Sequence, residues 1–513
     1  MARYIVPSVA ISAIYSAYRS YFDSSSPSAF GIRTVEEAVA SLNANVNALE
    51  ALRFIQHIKP DNSFVCSLSP TALGVLALRG SDLCEHVPVT KYTYDEDDPT
   101  FSSLLSKFDL GPVWEDRIAW LNRVACPEED LACAEGWFTY HPSQVFRLLQ
   151  LLRLIYVRTE IPFDSKEIGT EVVQLLYLMY KRFRDINKEL AILALKTLSN
   201  VALNNPSYAI SIFTSEWLPL LASMVVHGRT LEERLISHKI CQNALSTLGA
   251  VDYQLRSDIY ELFLPDREPL VDIVLIHGLR GGVAFTWRQK DHSSNVVSNC
   301  WPKDWLHLDI AEPMRILGLD YPSYLMHFTG TMESLEVRAN RFEHQLQAAG
   351  VGRRPIIFIC HSLGGLLAKR LLLDLPNLAA KTVGILFIAT PHRGSPIAAW
   401  GYSILHPSQD VLLLYEENAV NKKLNEDFVP ISDNVPVIVS MVETKLSNLI
   451  GRARGIVVPT QSAVYERGAV YHIEEAHHNV CKPSERSSPA YGVVLNFIRD
   501  SIQEAKKMKN VKQ

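Results

Sequence analysis

Two hydrophobic patterns divide the chain near residue 266. Before that point, apolar residues recur every three to four positions, as Leu190, Ala194 and Leu198 do, and this spacing predicts amphipathic helices. After it, short apolar runs rich in β-branched residues alternate with helical stretches. Such alternation predicts a mostly parallel sheet with helices on both faces. We therefore expect an all-α domain at 26–265 and an α/β domain at 266–513.

The predicted strands are five short apolar runs in the second domain. A last helix at 491–506 is expected to close this domain, and helical stretches such as 335–349 and 363–375 separate the strands. The five runs lie at 271–276, 323–328, 356–360, 383–389 and 435–442.

The helical domain contains a repeated shape. The string ALKTLSNVALNNP at 194–206 is followed by a helical stretch at 208–226, and a similar turn returns at 243–249. This layout resembles an armadillo or HEAT-type repeat, in which each unit has an apolar face that only a neighbouring repeat covers. A plain helical bundle is the alternative. Either arrangement is suited to holding a protein partner.

Composition narrows the class of protein. Hydrophobic residues make up 48% and charged residues 20% of the 513 residues, which is typical of globular proteins. The net charge of −5, without a dense basic stripe, gives no reason to expect nucleic acid. The eight cysteines are scattered, which indicates buried thiols in a reducing compartment. The sequence has no phosphate-binding glycine pattern and no matched set of metal ligands, so no cofactor is expected.

Residues 1–25 are expected to form a targeting or membrane-anchor segment. They contain Arg3 and Arg19, many serines, and no acidic residue before Asp23. The uncharged stretch at 4–18 is shorter than the roughly 20 residues of a membrane-spanning helix. Such a start suits a mitochondrial presequence or an interfacial anchor. A helix packed on the following domain is the alternative.

The strongest motif follows the third predicted strand. The run 356–360 leads directly into His361-Ser362-Leu363-Gly364-Gly365, and a helical stretch comes next. A strand, one sharp turn and a helix form a nucleophile elbow, which lifts a serine hydroxyl above the sheet. Gly364 supplies the small residue needed where strand and helix nearly collide, although Cys360 stands where a glycine is usual. Ser362 is therefore the candidate nucleophile.

Two backbone N–H groups are candidates for an oxyanion hole. Acyl transfer needs donors aimed at the oxygen on which negative charge develops. Leu363 directly follows the nucleophile, and Leu279 lies in the loop after the first predicted strand, behind His277 and Gly278. The glycines of that loop allow its backbone to come close to a substrate.

His477 and His478 are the candidate bases. In this kind of site the histidine follows the acid along the chain, which excludes His392 and assigns it to a loop beside the site. His472 lies in a further short apolar run, which is expected to form the last strand of the sheet, so this residue is expected in the core, whereas His477 and His478 begin the loop after that strand. A zinc site at His477 and Cys481 would lack a second pair of ligands.

Glu443 is the candidate acid. It is the first carboxylate after the strand at 435–442, where an acid can hold the imidazole in the correct tautomer. Asp433 precedes that strand and is expected in a turn. Glu474 and Glu475 lie too near the histidines to follow the usual order.

Several motifs occur together in this part of the chain. They are IHGLRGG at 276–282, CWPKDWL at 300–306, CHSLGGLLAK at 360–369, ATPHRGS at 389–395, VVPTQSA at 457–463 and HHNVCKP at 477–483. Together they resemble the serine-active-site-containing proteins. In that family the histidine loop reads H-x-N-I-C-K-P, which matches His477, Asn479 and Cys481 and implies that His477 is the base.

The resemblance implies a lipase-like α/β-hydrolase fold preceded by armadillo-like helices. It also implies a membrane-associated protein of mitochondria and their contacts with the endoplasmic reticulum, acting on phospholipid. The family is implicated in remodelling the acyl chains of phosphatidylglycerol and in intracellular cholesterol trafficking. The insertion at 396–430, with an apolar patch at 411–415, is suited to cover an acyl pocket, and a simple packed helix is the alternative. The competing function is a scaffold with little or no activity that supports a mitochondrial membrane partner, for example in serine import.

Overall fold

The chain divides into two compact units. The computed structural model describes residues 31–92, 142–163, 169–290, 299–323, 333–396, 408–448 and 454–510, so the predicted anchor segment at 1–25 lies outside the described residues. The division falls between Asp252 and Tyr253. The sequence placed it later, between residues 265 and 266, because the strand at 259–263 was not recognised as part of the sheet.

The first unit is helical in its described part. Side chains cap several of these helices, and the clearest case is a capping box in which Thr230 and Glu233 each accept from the other's backbone N–H. The helices are α1 (Val35–Asn43), α2 (Ala48–Ile58), α3 (Pro70–Leu78), α4 (Pro142–Thr159), α5 (Glu171–Phe183), α6 (Lys188–Val201), α7 (Pro206–Phe213), α8 (Trp217–His227) and α9 (Leu231–Thr247).

Helices α6 and α9 are related as the repeat prediction requires. Asn243 Nδ2 donates to the carbonyl of Ser199 at 3.2 Å, and Thr247 Oγ1 donates to the carbonyl of Ala202 at 2.7 Å. Because these contacts follow in the same order along both helices, α6 and α9 run side by side in one direction. Equivalent helices of successive armadillo-type repeats pack in this way.

The second unit contains a twisted sheet whose strand order brings the motif-bearing loops to one edge. In the described residues the order is β1-β3-β2-β4-β5-β6-β9, with β1 antiparallel and the other strands parallel to their neighbours. Its strands are β1 (Ile259–Phe263), β2 (Val271–Ile276), β3 (Met314–Leu319), β4 (Ile356–His361), β5 (Thr382–Ile388), β6 (Val437–Glu443) and β9 (Ala469–Ile473), while β7 (Ser447–Asn448) and β8 (Arg454–Gly455) form a separate hairpin.

One strand of the sheet is not among the predicted ones. This strand is β3, at 314–319, whereas the predicted strand at 323–328 lies outside the described residues except for Ser323, which follows the end of β3. The run at 314–319 contains Arg315, a residue type that is rarely buried without a partner, so its sequence does not stand out as a buried strand. The Arg315 guanidinium is buried in a two-point pair with Asp272 of β2.

Helices cover the faces of this sheet. The long ones pack buried leucines and phenylalanines against strands β2 to β6, which forms the main core of the unit. In the described ranges they are α10 (Val283–Thr286), α11 (Trp301–Asp304), α12 (Leu306–Asp309), α13 (Leu335–Ala348), α14 (Leu363–Asp374), α15 (Pro376–Ala379), α16 (Gln409–Leu413), α17 (Ala419–Ser432), α18 (Thr460–Ala463) and α19 (Pro489–Asn510).

The apolar patch expected on a lid is part of the core. Val411, Leu413 and Leu414 are buried, and the two leucines belong to the main hydrophobic cluster. Asp410 of α16 pairs with the buried Arg338 of α13. From residue 408 the insertion thus contains packed helices, α16 and most of α17, and 397–407 lie outside the described residues. None of the helices in the described ranges is both long enough and apolar enough to cross a membrane.

Candidate active site

Ser362 occupies the sharp turn between β4 and α14. Its backbone has φ 53° and ψ −125°, a conformation that costs energy for any residue with a side chain. The turn is crowded, because a Cβ on Gly364 would lie 2.4 Å from the carbonyl oxygen of Ile276. Cys360, which replaces the usual glycine, is fully buried within β4. Strand, turn and helix together form the predicted nucleophile elbow.

His477 connects Ser362 to Glu443. The Nε2 atom of His477 lies 3.1 Å from Ser362 Oγ, and Nδ1 lies 2.5 Å from Glu443 Oε2. All three side chains are buried. Nδ1 therefore carries the proton that it donates to the carboxylate, which leaves Nε2 free to accept the proton of the serine hydroxyl.

Glu443 is held by backbone donors. Its second oxygen, Oε1, accepts hydrogen bonds from the N–H groups of Val457 at 2.6 Å and Val458 at 3.1 Å. These two residues begin the segment VVPTQSA. Nothing in the sequence links that segment to the acid, because any residue other than proline can supply a backbone N–H donor.

The loop that carries His477 is fixed at several points. His361 Nε2 donates to the carbonyl of His477 at 3.0 Å, and Trp301 Nε1 donates to the carbonyl of Cys481 at 3.1 Å. Burial lowers the pKa of His361 well below its usual value, so this ring is neutral and its Nε2 proton is committed to that bond. The motifs CWPKDWL and HHNVCKP are therefore joined by a direct contact between Trp301 and Cys481.

The proposed oxyanion donors come from the two loops that meet at Ser362. Leu363 is the first residue of α14, and N–H groups of a first helical turn have no acceptor within the helix. The loop with Leu279 touches the serine directly, since a Cβ on Gly278 would lie 2.6 Å from Ser362 Cβ. The structure therefore brings both predicted backbone segments to the serine.

The remaining histidines lie elsewhere. His478 is exposed, with its ring centroid 5.6 Å from that of His477. The expectation that His472 is a core residue is wrong, because it is exposed on β9, the last strand of the described sheet. The two residues of the zinc alternative are engaged in other contacts. Both ring nitrogens of His477 are hydrogen-bonded, to Glu443 and Ser362, and Cys481 Sγ contacts the carbonyls of Thr286 and His478.

Lys369 is a buried lysine that was not among the predicted site residues. Its Nζ donates to His392 Nδ1 at 2.8 Å and to Asn425 Oδ1, and it lies 4.5 Å from the centroid of the Tyr465 ring. Burial lowers the pKa values of Lys369 and His392 well below their usual ranges. Both residues tie the loop after β5 to α14 and α17. The available sequence signal was the position of Lys369 among leucines in the helix that follows Ser362.

The sheet order, the strained serine between β4 and α14, and the chain order Ser362, Glu443, His477 define an α/β-hydrolase fold. No protein-family model matches the chain. The chain is 31% identical to Protein SERAC1 of Danio rerio over 388 residues, which are 70% of this chain and 58% of that protein. It is 30% identical to Protein SERAC1 of Homo sapiens over 369 residues, which are 67% of this chain and 55% of that protein.

The chain is thus a homologue of the SERAC1 proteins over most of its length, which confirms the resemblance found in its motifs. It spans less than two thirds of the length of these relatives. Among solved structures, the mature lipase BlEst2 of Bacillus licheniformis is 16% identical and covers 46% of this chain and 97% of its own, with a TM-score of 0.33. Phospholipase PlaB of Legionella pneumophila is 14% identical and covers 48% of this chain and 63% of its own, with a TM-score of 0.35.

Proposed function

We propose that the protein is a serine hydrolase that cleaves or transfers acyl esters. The observation that carries this proposal is the hydrogen-bonded series Ser362 Oγ, His477 Nε2, His477 Nδ1 and Glu443 Oε2, at 3.1 and 2.5 Å, beside a serine held at positive φ. Side chains so arranged make a serine hydroxyl nucleophilic at neutral pH.

The reaction begins with acylation of the serine. Ser362 Oγ adds to the ester carbonyl while its proton moves to His477 Nε2, and Glu443 stabilises the imidazolium that forms. The negative oxygen of the tetrahedral intermediate accepts from the N–H groups of Leu279 and Leu363. His477 then gives its proton to the leaving alcohol as the C–O bond breaks, which leaves an acyl-serine.

Deacylation repeats these steps with a second nucleophile. His477 removes a proton from water, or from a second alcohol, while the oxygen of that water or alcohol attacks the acyl-serine carbonyl. The tetrahedral intermediate collapses and Ser362 recovers its proton. Water gives net hydrolysis and an alcohol gives acyl transfer, so one site serves both reactions.

Labelling with a fluorophosphonate tests the proposal directly. The purified protein is expected to form a covalent phosphonyl-serine on Ser362, identified by mass spectrometry, because only an activated serine displaces fluoride at a useful rate. Ser362→Ala should abolish labelling. A wild-type protein that is folded but unlabelled would favour the competing function, a scaffold for a membrane partner.

The substrate is proposed to be a glycerophospholipid, with acyl-chain remodelling of phosphatidylglycerol and a link to cholesterol trafficking as the wider role. Each buried methylene of an acyl chain contributes about 0.8 kcal/mol, so long chains gain strongly if the site holds them. We expect kcat/KM to rise from short soluble esters to long-chain phosphatidylglycerol in vesicles. Product release measured by mass spectrometry, with Ser362→Ala as the background, checks this. Equal rates on both substrates would oppose a lipid substrate.

The proposed location is the membrane of mitochondria and their contact sites with the endoplasmic reticulum, which rests on the resemblance and on residues 1–25. Deletion of residues 1–22 is expected to release the protein from membranes, because this acid-free segment carries the arginines suited to an anionic surface. Sedimentation of the full chain and the truncated chain with cell membranes measures the effect. Hydrolysis of a short soluble ester should be unchanged. Undiminished sedimentation would move the attachment to another part of the chain.

A further inference from the structure

The turn that follows β3 is hydrogen-bonded to the loop that carries Leu279. Four hydrogen bonds join Tyr321 and Ser323 to this loop, the segment at 277–280. The Tyr321 N–H donates to His277 Nε2 at 3.1 Å, the Tyr321 hydroxyl donates to the carbonyl of His277 at 2.6 Å, Ser323 Oγ donates to the carbonyl of Gly278 at 3.3 Å, and the carbonyl of Ser323 accepts from the N–H of Arg280 at 3.0 Å.

The carbonyl of Gly278 is the important acceptor. In a trans peptide this C=O and the following N–H, here that of Leu279, lie in one plane and point in opposite directions. The carbonyl accepts from His277 Nδ1 at 2.9 Å and from Ser323 Oγ at 3.3 Å, and within the loop also from the N–H of Gly281 at 3.0 Å. Donors that fix the direction of the Gly278 carbonyl therefore fix the direction of the Leu279 N–H.

Tyr321 controls the imidazole that makes one of these bonds. A carbonyl accepts only, so the His277 bond to Gly278 requires a proton on Nδ1. The Tyr321 N–H supplies a donor to Nε2, which must then be unprotonated. The two rings also stack, with centroids 4.2 Å apart and an interplanar angle of 11°. Tyr321 thus fixes the plane of the His277 ring by stacking on it, and fixes the tautomer of that ring through its backbone N–H.

Tyr321 is in turn packed against the buried side chain of Arg338. The guanidinium of Arg338 lies 4.7 Å from the centroid of the Tyr321 ring and donates to the carbonyl of Pro322 at 3.4 Å. Arg338 is fully buried and makes two hydrogen bonds with Asp410, at 2.9 and 3.2 Å. The turn therefore rests on a buried ion pair between α13 and α16 and has little freedom to move.

We propose that Tyr321 and Ser323 are positioning residues that orient the Leu279 N–H toward the oxyanion of the reacting ester. This proposal rests on the proposed function, because it assigns these residues to the same acyl-transfer site. Neither residue touches the substrate. They act through the direction of one peptide plane, so their effect falls on the transition state and not on substrate binding.

The test compares Tyr321→Phe and Ser323→Ala with the wild type on p-nitrophenyl butyrate. Tyr321→Phe keeps the ring and the backbone N–H and removes only the hydroxyl bond to the His277 carbonyl, and Ser323→Ala removes the hydroxyl bond to the Gly278 carbonyl. Each is expected to lower kcat roughly tenfold and the double variant up to about a hundredfold, because losing one whole oxyanion donor costs roughly 10²–10³ and misalignment costs less. KM should stay close to the wild-type value. Affinity for a trifluoromethyl ketone, which forms a tetrahedral adduct on serine, should fall in parallel with kcat.

Controls separate positioning from stability. Ser323→Thr keeps the hydroxyl and should restore kcat, while Ser501→Ala removes a similar buried serine-to-carbonyl bond in α19 and should leave kcat unchanged. Thermal unfolding reports whether each variant is folded, and Ser323→Ala alone carries the test if Tyr321→Phe does not fold. An active wild type with unchanged kcat in Ser323→Ala and Tyr321→Phe would overturn this proposal. An inactive wild type would instead overturn the proposed function.

Discussion

Replacing Ser362 or His477 with alanine is expected to lower kcat for ester hydrolysis by roughly 10⁴-fold or more. Ser362→Ala removes the attacking oxygen, and His477→Ala removes the group that takes its proton. Because the two act as a unit, the double variant should be hardly worse than either single variant. Initial rates on p-nitrophenyl butyrate measure the loss, and circular dichroism checks that the fold is kept.

The neighbouring histidine gives a matched control for this prediction. His478 has the same chemistry as His477 and lies next to it in the chain, but it is exposed, and the imidazole nitrogen 3.1 Å from Ser362 Oγ belongs to His477. His478→Ala should therefore keep wild-type activity. Glu443→Gln should lose less than His477→Ala, because nucleophile and base remain. An inactive His478→Ala beside an active His477→Ala would reassign the base.

The parts of the site that follow the chain order could be predicted from the sequence. Ser362, Glu443 and His477 each lie at or just after the carboxyl end of a parallel strand, and such ends meet at one edge of a sheet. A strand-turn-helix pattern and a fixed order were therefore enough to bring the three residues together. Chain order alone did not decide between His477 and His478, because both lie in the loop after the last strand. The resemblance of the histidine loop to the family pattern made that choice.

The parts that depend on tertiary partners could not be predicted. Strand β3 was not predicted, since a run that contains Arg315 does not look like a buried strand. Strand β1, which pairs with β3 in antiparallel orientation, was not predicted either. His472 read as a core residue because its run is apolar, but β9 is the last strand in the described sheet and most of its side chains are exposed. Burial of a strand depends on whether a neighbour covers it, which its own sequence does not state.

Arg315→Ala is expected to destabilise the α/β unit by up to about 3–5 kcal/mol, because it removes the two-point partner of the buried Asp272 carboxylate and leaves only Arg354 Nε, 3.7 Å away, beside it. Arg315 is fully buried, and its Nε and Nη2 donate to Asp272 at 2.8 and 3.0 Å while Nη1 donates to the carbonyl of Ala349 at 2.8 Å. Glu261, also buried, lies in the same group and would lose a compensating charge. Denaturant unfolding of the full chain measures the change.

A surface pair provides the comparison. Arg370 and Asp374 form a partly exposed pair one turn apart on α14, and Arg370→Ala should cost less than about 1 kcal/mol. Replacing both buried partners, Arg315→Met with Asp272→Leu, should recover much of the stability that Arg315→Ala loses, because no unpaired carboxylate then remains at Asp272. A loss in Arg315→Ala no larger than that in Arg370→Ala would mean that Arg354 or water satisfies Asp272 once the Arg315 guanidinium is gone. The pair would then explain why β3 tolerates an arginine, but it would contribute little to holding β2 and β3 together.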